Sequence, residues 1–184
     1  MLGFYFTYMI LADKRIKEEI ANGNIIISPF DEKYLNPNSV DLTLNPKCKL
    51  YDRSILDVRK PNPTIEFDIP EEGFVLHPGK VYLYACNEKI GVKGNLAAKV
   101  EGKSSLGRLG LFIHVTAGWI DSGFEGSLVL ELVASQHIKI YPNMKICQIA
   151  FYETTEVETG YDKKEGSKYM NQEGVVASKM HKNF

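Results

Sequence analysis

Cysteine is scarce in this chain. Cys48, Cys86 and Cys147 are too few and too far apart for a disulfide framework in 184 residues. Each lies in an apolar or strand-like stretch, so they read as small core residues in a reducing compartment. Neither charge is in excess: 22 Lys and Arg face 23 Asp and Glu, giving a formal charge of -1. Without a basic stripe, neither nucleic acid nor a membrane surface is the expected partner, and a small molecule is favoured. No apolar run is long enough to span a bilayer. The opening MLGFYFTYMILADKR has no basic residue ahead of its apolar run and no small-residue cleavage site after it, so a cytoplasmic location is expected. His77, His114, His137 and His181 are scattered, and the zinc pattern His-x-Glu followed by Pro-Cys-x-x-Cys is missing. EGKSSLGR lacks the earlier glycine of a Walker loop.

What is present reads as one domain over residues 1–184. Met9 opens MILADKRIKEEI, so residues 1–8 are expected to be an extension. Ile16 and Ile20 share a face of a short amphipathic helix over Asp13–Asn22, with Gly23 as its stop. Beyond it the period changes to two in IIIS, SVDLTL, CKLYD, TIEF, KVYLYAC, LAAKVEG, LVLELVA and KICQIAFYE. Turn signals at Asn36-Pro37-Asn38, His77-Pro78-Gly79 and Tyr141-Pro142-Asn143 separate such runs. Many short strands imply an all-β sandwich or barrel. From about Glu158 the chain loses apolar periodicity and reads as a polar C-terminal tail.

Chemistry concentrates in EGKSSLGRLGLFIHVTAGWIDSGFEGSLVLEL, where glycine-punctuated polar clusters border apolar runs. Glu131 stands between apolar neighbours in LVLELV. Buried, its carboxyl would hold a proton more tightly and could give and take one; alternatively it faces outward on an alternating strand. Ser104 and Arg108 would share one face of a helical turn. That turn can equally be a capped turn without chemistry. A triad drawn from Ser104, His114 and Asp121 lacks a nucleophile elbow.

GKSSLGRLGL, HVTAGWIDSGFEG, LVLEL and MKICQIAF, with SVDLTL upstream and GSKYMNQEG downstream, resemble the dCTP deaminases of the trimeric dUTPase superfamily. The resemblance runs from about Met9 to the end. It implies an all-β distorted jelly-roll or β-barrel of the dUTPase-like type with a short N-terminal helix, a homotrimer with sites between subunits, and deamination of dCTP without zinc. By position, Glu131 matches the catalytic acid, Ser104 the holder of the attacking water, and Arg108 the group beside the base. Lys103, where many relatives carry Arg, Ser105, Leu106 and Gly107 match the phosphate-binding turn. Asp121 matches the residue that accepts from the sugar hydroxyl, and Phe124 packs on the deoxyribose. Ser122 stands where relatives often have Pro or Ala. Backbone groups of Val129 and Leu130 are expected to read the pyrimidine edge, while Gln148, Tyr161, Lys168 and Gln172 are further nucleotide contacts, the last three in a lid over about 158–184. Mg²⁺ is expected through the triphosphate alone, and dTTP is a candidate inhibitor.

Relatives that only deaminate carry His-Arg within TAHRIDPGW, whereas the stretch here is TAGWIDSGF, so Gly118 and Trp119 mark the dUMP-forming kind. A glycine there is expected to open space beside Asp121 for a second water. The expected reaction is dCTP to dUMP, pyrophosphate and ammonia. A monofunctional deaminase releasing dUTP and a non-catalytic nucleotide-binding member remain alternatives. A plain dUTPase fits poorly, because its third motif lacks the LVLEL glutamate and its tail is glycine-rich.

Overall fold

The computed structural model describes residues 9–184, so the expected extension over residues 1–8 lies outside the described residues. Alternating apolar positions send one side of each strand inward. In chain order the strands are β1 (Met9–Ile10), β2 (Ile25–Ser28), β3 (Leu35–Asn36), β4 (Ser39–Tyr51), β5 (Thr64–Asp68), β6 (Phe74–Leu76), β7 (Tyr82–Val92), β8 (Leu96–Gly102), β9 (Leu111–Phe112), β10 (Trp119–Ile120), β11 (Glu125–Ala134), β12 (Ile138–Ile140) and β13 (Lys145–Glu153). The helices are α1 (Asp13–Ala21) and α2 (Ser104–Gly107). Every pairing is antiparallel. The main sheet runs β10-β8-β13-β4-β7-β11-β9, with β1, β2, β3 and β5 attached to its flanks and β12 and β6 forming a separate pair.

Each apolar run read from the sequence forms strand, and the three Pro-containing signals are turns. SVDLTL and CKLYD join into the single strand β4 despite Pro46 between them. Proline cannot donate to a ladder, and the pairing of β4 with β7 shifts register between Leu44 and Cys48 to pass it. The Pro46 carbonyl instead accepts from the Ile69 amide at 2.8 Å.

The core lies between the two halves of the curled sheet, around Leu42, Leu44, Ile90, Leu130, Leu132 and Phe151, all almost fully buried. Truncating one such leucine to alanine costs about 2–5 kcal/mol. Ile16 of α1 is buried in this core and Ile20 packs against it. All three cysteines are free and buried. Burial pushes the Cys48 thiol up to about 12, which makes it inert at neutral pH. Among the described residues no helix is long and apolar enough to cross a membrane.

Candidate active site

Strand β11 alternates strictly: Leu128, Leu130 and Leu132 point into the core, while Ser127, Val129 and Glu131 take the opposite face. Register sets Glu131 against Leu83 and Val129 against Ala85 of β7. Leu83 and Ala85 are nonetheless buried, because Val175 and Ala177 of the C-terminal segment pack on them and on Val129. The face that alternation alone assigns to solvent is therefore roofed by the tail, and Glu131 is half-buried beneath it. A cavity of about 540 Å³ opens here, lined by Glu131, Val129, Asp121, Phe124, Tyr161 and Gln172 among others. Burial pushes the Glu131 carboxyl above its ordinary range, and the neighbouring Val115 amide and His114 imidazole only partly oppose this.

Gly118 and Trp119 also line the cavity. The space expected to be open at Gly118 is filled. A Cβ there would stand 2.8 Å from His114 Nε2 and 2.8 Å from the Val100 carbonyl oxygen. Glycine is needed because its neighbours already close on it, with the imidazole of His114 taking the volume. His114 Nδ1 is buried without a hydrogen-bond partner.

After β10 the chain turns at Asp121–Phe124. Asp121 is exposed and lines both the main cavity and an adjoining hollow of about 260 Å³ that also touches Trp119, Tyr161 and Lys164. Ser122 is buried, and its hydroxyl donates to the Gly94 carbonyl, which ties the turn down where a proline would have stiffened it. Gly123 has φ +86, and a Cβ on it would meet the Tyr161 amide at 2.8 Å. Its absence admits the tail: Tyr161 N donates to Ser122 O at 2.7 Å, and the Tyr161 ring stands edge-on to Phe124 at 5.7 Å between centroids.

The polar tail follows β11 in largely irregular structure, yet it is held at many points. Ser127 N donates to Gln172 O at 2.9 Å, and Gln172 Nε2 donates to Ser127 O at 2.7 Å. Gln172 Oε1 is left buried without a partner at the cavity wall, free for a ligand's donor. Lys168 contributes its amide to the Tyr161 hydroxyl at 3.2 Å, and its side chain is not part of the cavity wall. Ser178 N donates to the Tyr51 hydroxyl at 2.9 Å, closing the strap onto β4.

The remaining expected residues form a second group. Lys103 precedes α2, whose turn places Ser104 and Arg108 in succession, with Arg108 N donating to Ser104 O at 3.0 Å. Ser104, Ser105, Gly107 and Arg108 are exposed and Leu106 packs against the core. Gln148 on β13 accepts from Ser39 Oγ at 2.9 Å and donates to the Gly102 carbonyl at 3.0 Å, just before this turn. None of these residues lines the cavity that holds Glu131, and Leu130 offers that cavity no side chain because it points into the core. Within one chain the two groups stay apart.

Sequence reasoning missed His114 and Val115 beside Glu131, the Val100 carbonyl against Gly118, and the apolar roof of Val175 and Ala177. HVTAG carried the only sequence signal for the first two. Among the described residues, no group of three or more His, Cys, Asp or Glu side chains is placed to hold a metal ion.

A curled antiparallel sheet with a half-buried acid, an aromatic wall and a C-terminal strap over one cavity defines an all-β protein with a roofed cavity of small-molecule size. A family model described as dCTP deaminase-like matches residues 10–154, and the chain belongs to that family. It is 47% identical over 176 residues to a protein of Clostridium beijerinckii named dCTP deaminase, dUMP-forming, covering 96% of this chain and 99% of that one. A protein of the same name from Hathewaya histolytica is 44% identical with the same coverage. The crystal structure of 2'-deoxycytidine 5'-triphosphate deaminase from Agrobacterium tumefaciens superposes with a TM-score of 0.65 at 27% identity, over 80% of this chain. The chain spans 49%, about half, of that Agrobacterium chain. The all-β fold is the one that this Agrobacterium deaminase shares.

Proposed function

We propose that this chain is a dUMP-forming dCTP deaminase, and the observation that carries the reading is Glu131: a half-buried carboxyl of raised proton affinity facing a nucleotide-sized cavity. Deamination adds water at the amino-bearing ring carbon while the adjacent ring nitrogen takes a proton; ammonia then leaves with a proton returned to it. One group must accept and return that proton, and a carboxyl whose proton affinity is raised by burial suits both steps. Ser104 holds the water and Arg108 stands beside the base. Val129 and Leu130 present backbone groups to the pyrimidine edge, and Phe124 packs on the deoxyribose. Asp121 accepts from the sugar hydroxyl. Lys103, Ser105, Leu106, Gly107, Gln148, Lys168 and Gln172 contact the rest of the nucleotide, with Tyr161 closing the tail over it.

The second stage takes a water onto the α-phosphorus and releases pyrophosphate, leaving dUMP. Magnesium arrives as part of the nucleotide and offsets triphosphate charge. Asp121 faces this end, where the adjoining hollow gives room beside Trp119. The separation of the α2 turn from the Glu131 cavity supports a homotrimer in which one subunit's turn completes its neighbour's cavity. A pocket fitted to a pyrimidine deoxynucleoside triphosphate also fits dTTP as an inhibitor. A small-molecule enzyme with three free cysteines suits the cytoplasm.

The test measures ammonia release from dCTP in magnesium buffer after dialysis against a zinc chelator. Full activity in the stripped protein, together with a trimer in native mass spectrometry, supports the reading. Activity that returns only on adding zinc, or a fully active monomer, would overturn it.

A further inference from the structure

Three adjacent strands carry a row of polar side chains to the edge where α2 begins. Asp41 on β4 lies opposite Gln148 on β13, and Gln148 lies opposite Glu101 on β8. Residues directly opposite in antiparallel strands project to the same face. Asp41 is only 3% exposed, a burial that a carboxylate tolerates when it is fully partnered. Its Oδ1 accepts from Asn36 Nδ2 at 3.0 Å and from the Lys103 ammonium, and its Oδ2 faces Lys145 Nζ at 3.0 Å. Burial pushes the carboxyl up, but the bonds from Lys103, Lys145 and Asn36 outweigh that and hold it below its ordinary value. Two residues earlier on β4, Ser39 braces Gln148, which in turn holds the Gly102 carbonyl. The segment SVDLTL thus fixes both the side chain of Lys103 and the backbone before it. One carboxylate between two ammonium groups leaves one positive charge in excess.

We propose that Asp41 is the positioning residue of the triphosphate subsite, holding the Lys103 ammonium at the start of the Ser104–Gly107 turn so that phosphate meets a cation already in place. This rests on the reading that Lys103 contacts the triphosphate. A free lysine chain gives up much rotamer freedom when it is pinned, and here Asp41 has already pinned it during folding. Asp41 is itself negative, so by charge alone its removal would strengthen the binding of an anion. Positioning predicts the opposite.

Calorimetry with inorganic triphosphate as the probe reads this without reference to turnover, using the full-length protein and its Asp41→Asn, Lys103→Met and Asn36→Ala variants. Asp41→Asn is expected to weaken triphosphate binding about tenfold and to raise the KM for dCTP in step, with kcat held within about threefold. The double variant with Lys103→Met is expected to bind no more weakly than Lys103→Met alone, because the two act through one ammonium. Triphosphate binding that is unchanged or tighter in Asp41→Asn would overturn the proposal. Wild-type affinity in Lys103→Met would overturn the Lys103 reading beneath it, a different failure. Should Asp41→Asn not fold, Asn36→Ala removes only the amide that aims the carboxylate; about threefold weaker binding supports the proposal, and unchanged binding overturns it.

Discussion

Replacing Glu131 with glutamine separates catalysis from stability at a single atom. The amide keeps the size of the carboxyl and can still accept from the Val115 amide, but it cannot take up and return a proton. General acid–base catalysis contributes about 10²–10⁴-fold, which corresponds to a barrier of about 2.7–5.5 kcal/mol. The kcat for ammonia release should fall by about a hundredfold or more, with nucleotide binding kept. Stability should move the other way. Burial raises the proton affinity of Glu131 in the folded chain, so its ionised form is a folding penalty. That penalty is fully present above the folded pKa, shrinks as pH falls through it and is gone below the unfolded value. Each tenfold change in proton affinity is worth about 1.4 kcal/mol. Because Glu131 is partly open to the cavity, the gain in Glu131→Gln should stay below about that figure, and 1 kcal/mol moves the midpoint of a chain this size by about 2–4 °C. The assays are a coupled ammonia measurement and thermal unfolding at pH 7.5 and pH 4. The variant should be less active and slightly more stable at pH 7.5, with the stability gain absent at pH 4. Turnover within threefold of the parent, or a loss of more than about 2 kcal/mol at pH 7.5, would show that the carboxyl is structural and refute the reasoning.

Gly118→Ala drives a methyl against the His114 ring and the Val100 carbonyl, so it should lower dCTP turnover by about tenfold or more and destabilise by about 1–3 kcal/mol, read by steady-state kinetics and thermal unfolding. Tyr161→Ala removes an edge-on contact with Phe124 worth about 0.5–1.5 kcal/mol and a hydroxyl that takes the Lys168 and Tyr169 amides. The tail should then exchange amide hydrogens faster from Tyr161 to Gln172, and the KM for dCTP should rise. Asp41 has a lowered folded pKa, so its contribution to stability is present at neutral pH and fades as pH falls below the unfolded carboxylate value of about 3.9. Asp41→Asn should therefore lose stability relative to the parent at pH 7, and that gap should narrow progressively in acid denaturation once the pH falls below the unfolded value.

The strands were legible because their periodicity is local, and so was α1. The separate runs SVDLTL and CKLYD proved to be one strand, because a register shift between Leu44 and Cys48 carries β4 past Pro46. Glu131 could not be resolved from its strand alone, since alternation gives the side and not what covers it. The cover comes from Val175 and Ala177, distant in the chain and set in a segment whose composition reads as solvated. Gly118 was found for its pattern with the wrong physics, because the ring of His114 that fills its space is brought there by the loop between β9 and β10. The division of Ser104 and Arg108 from Glu131 within one chain is invisible in a linear motif list, because it depends on how α2 and β11 are placed in space.

Product analysis tests the central claim most directly. The protein is incubated with dCTP and excess magnesium, and nucleotides and pyrophosphate are resolved by chromatography over the time course. The expected products are dUMP, pyrophosphate and ammonia in equal amounts, with no free dUTP accumulating. Build-up of dUTP without pyrophosphate would contradict that claim, and unchanged dCTP would contradict it entirely.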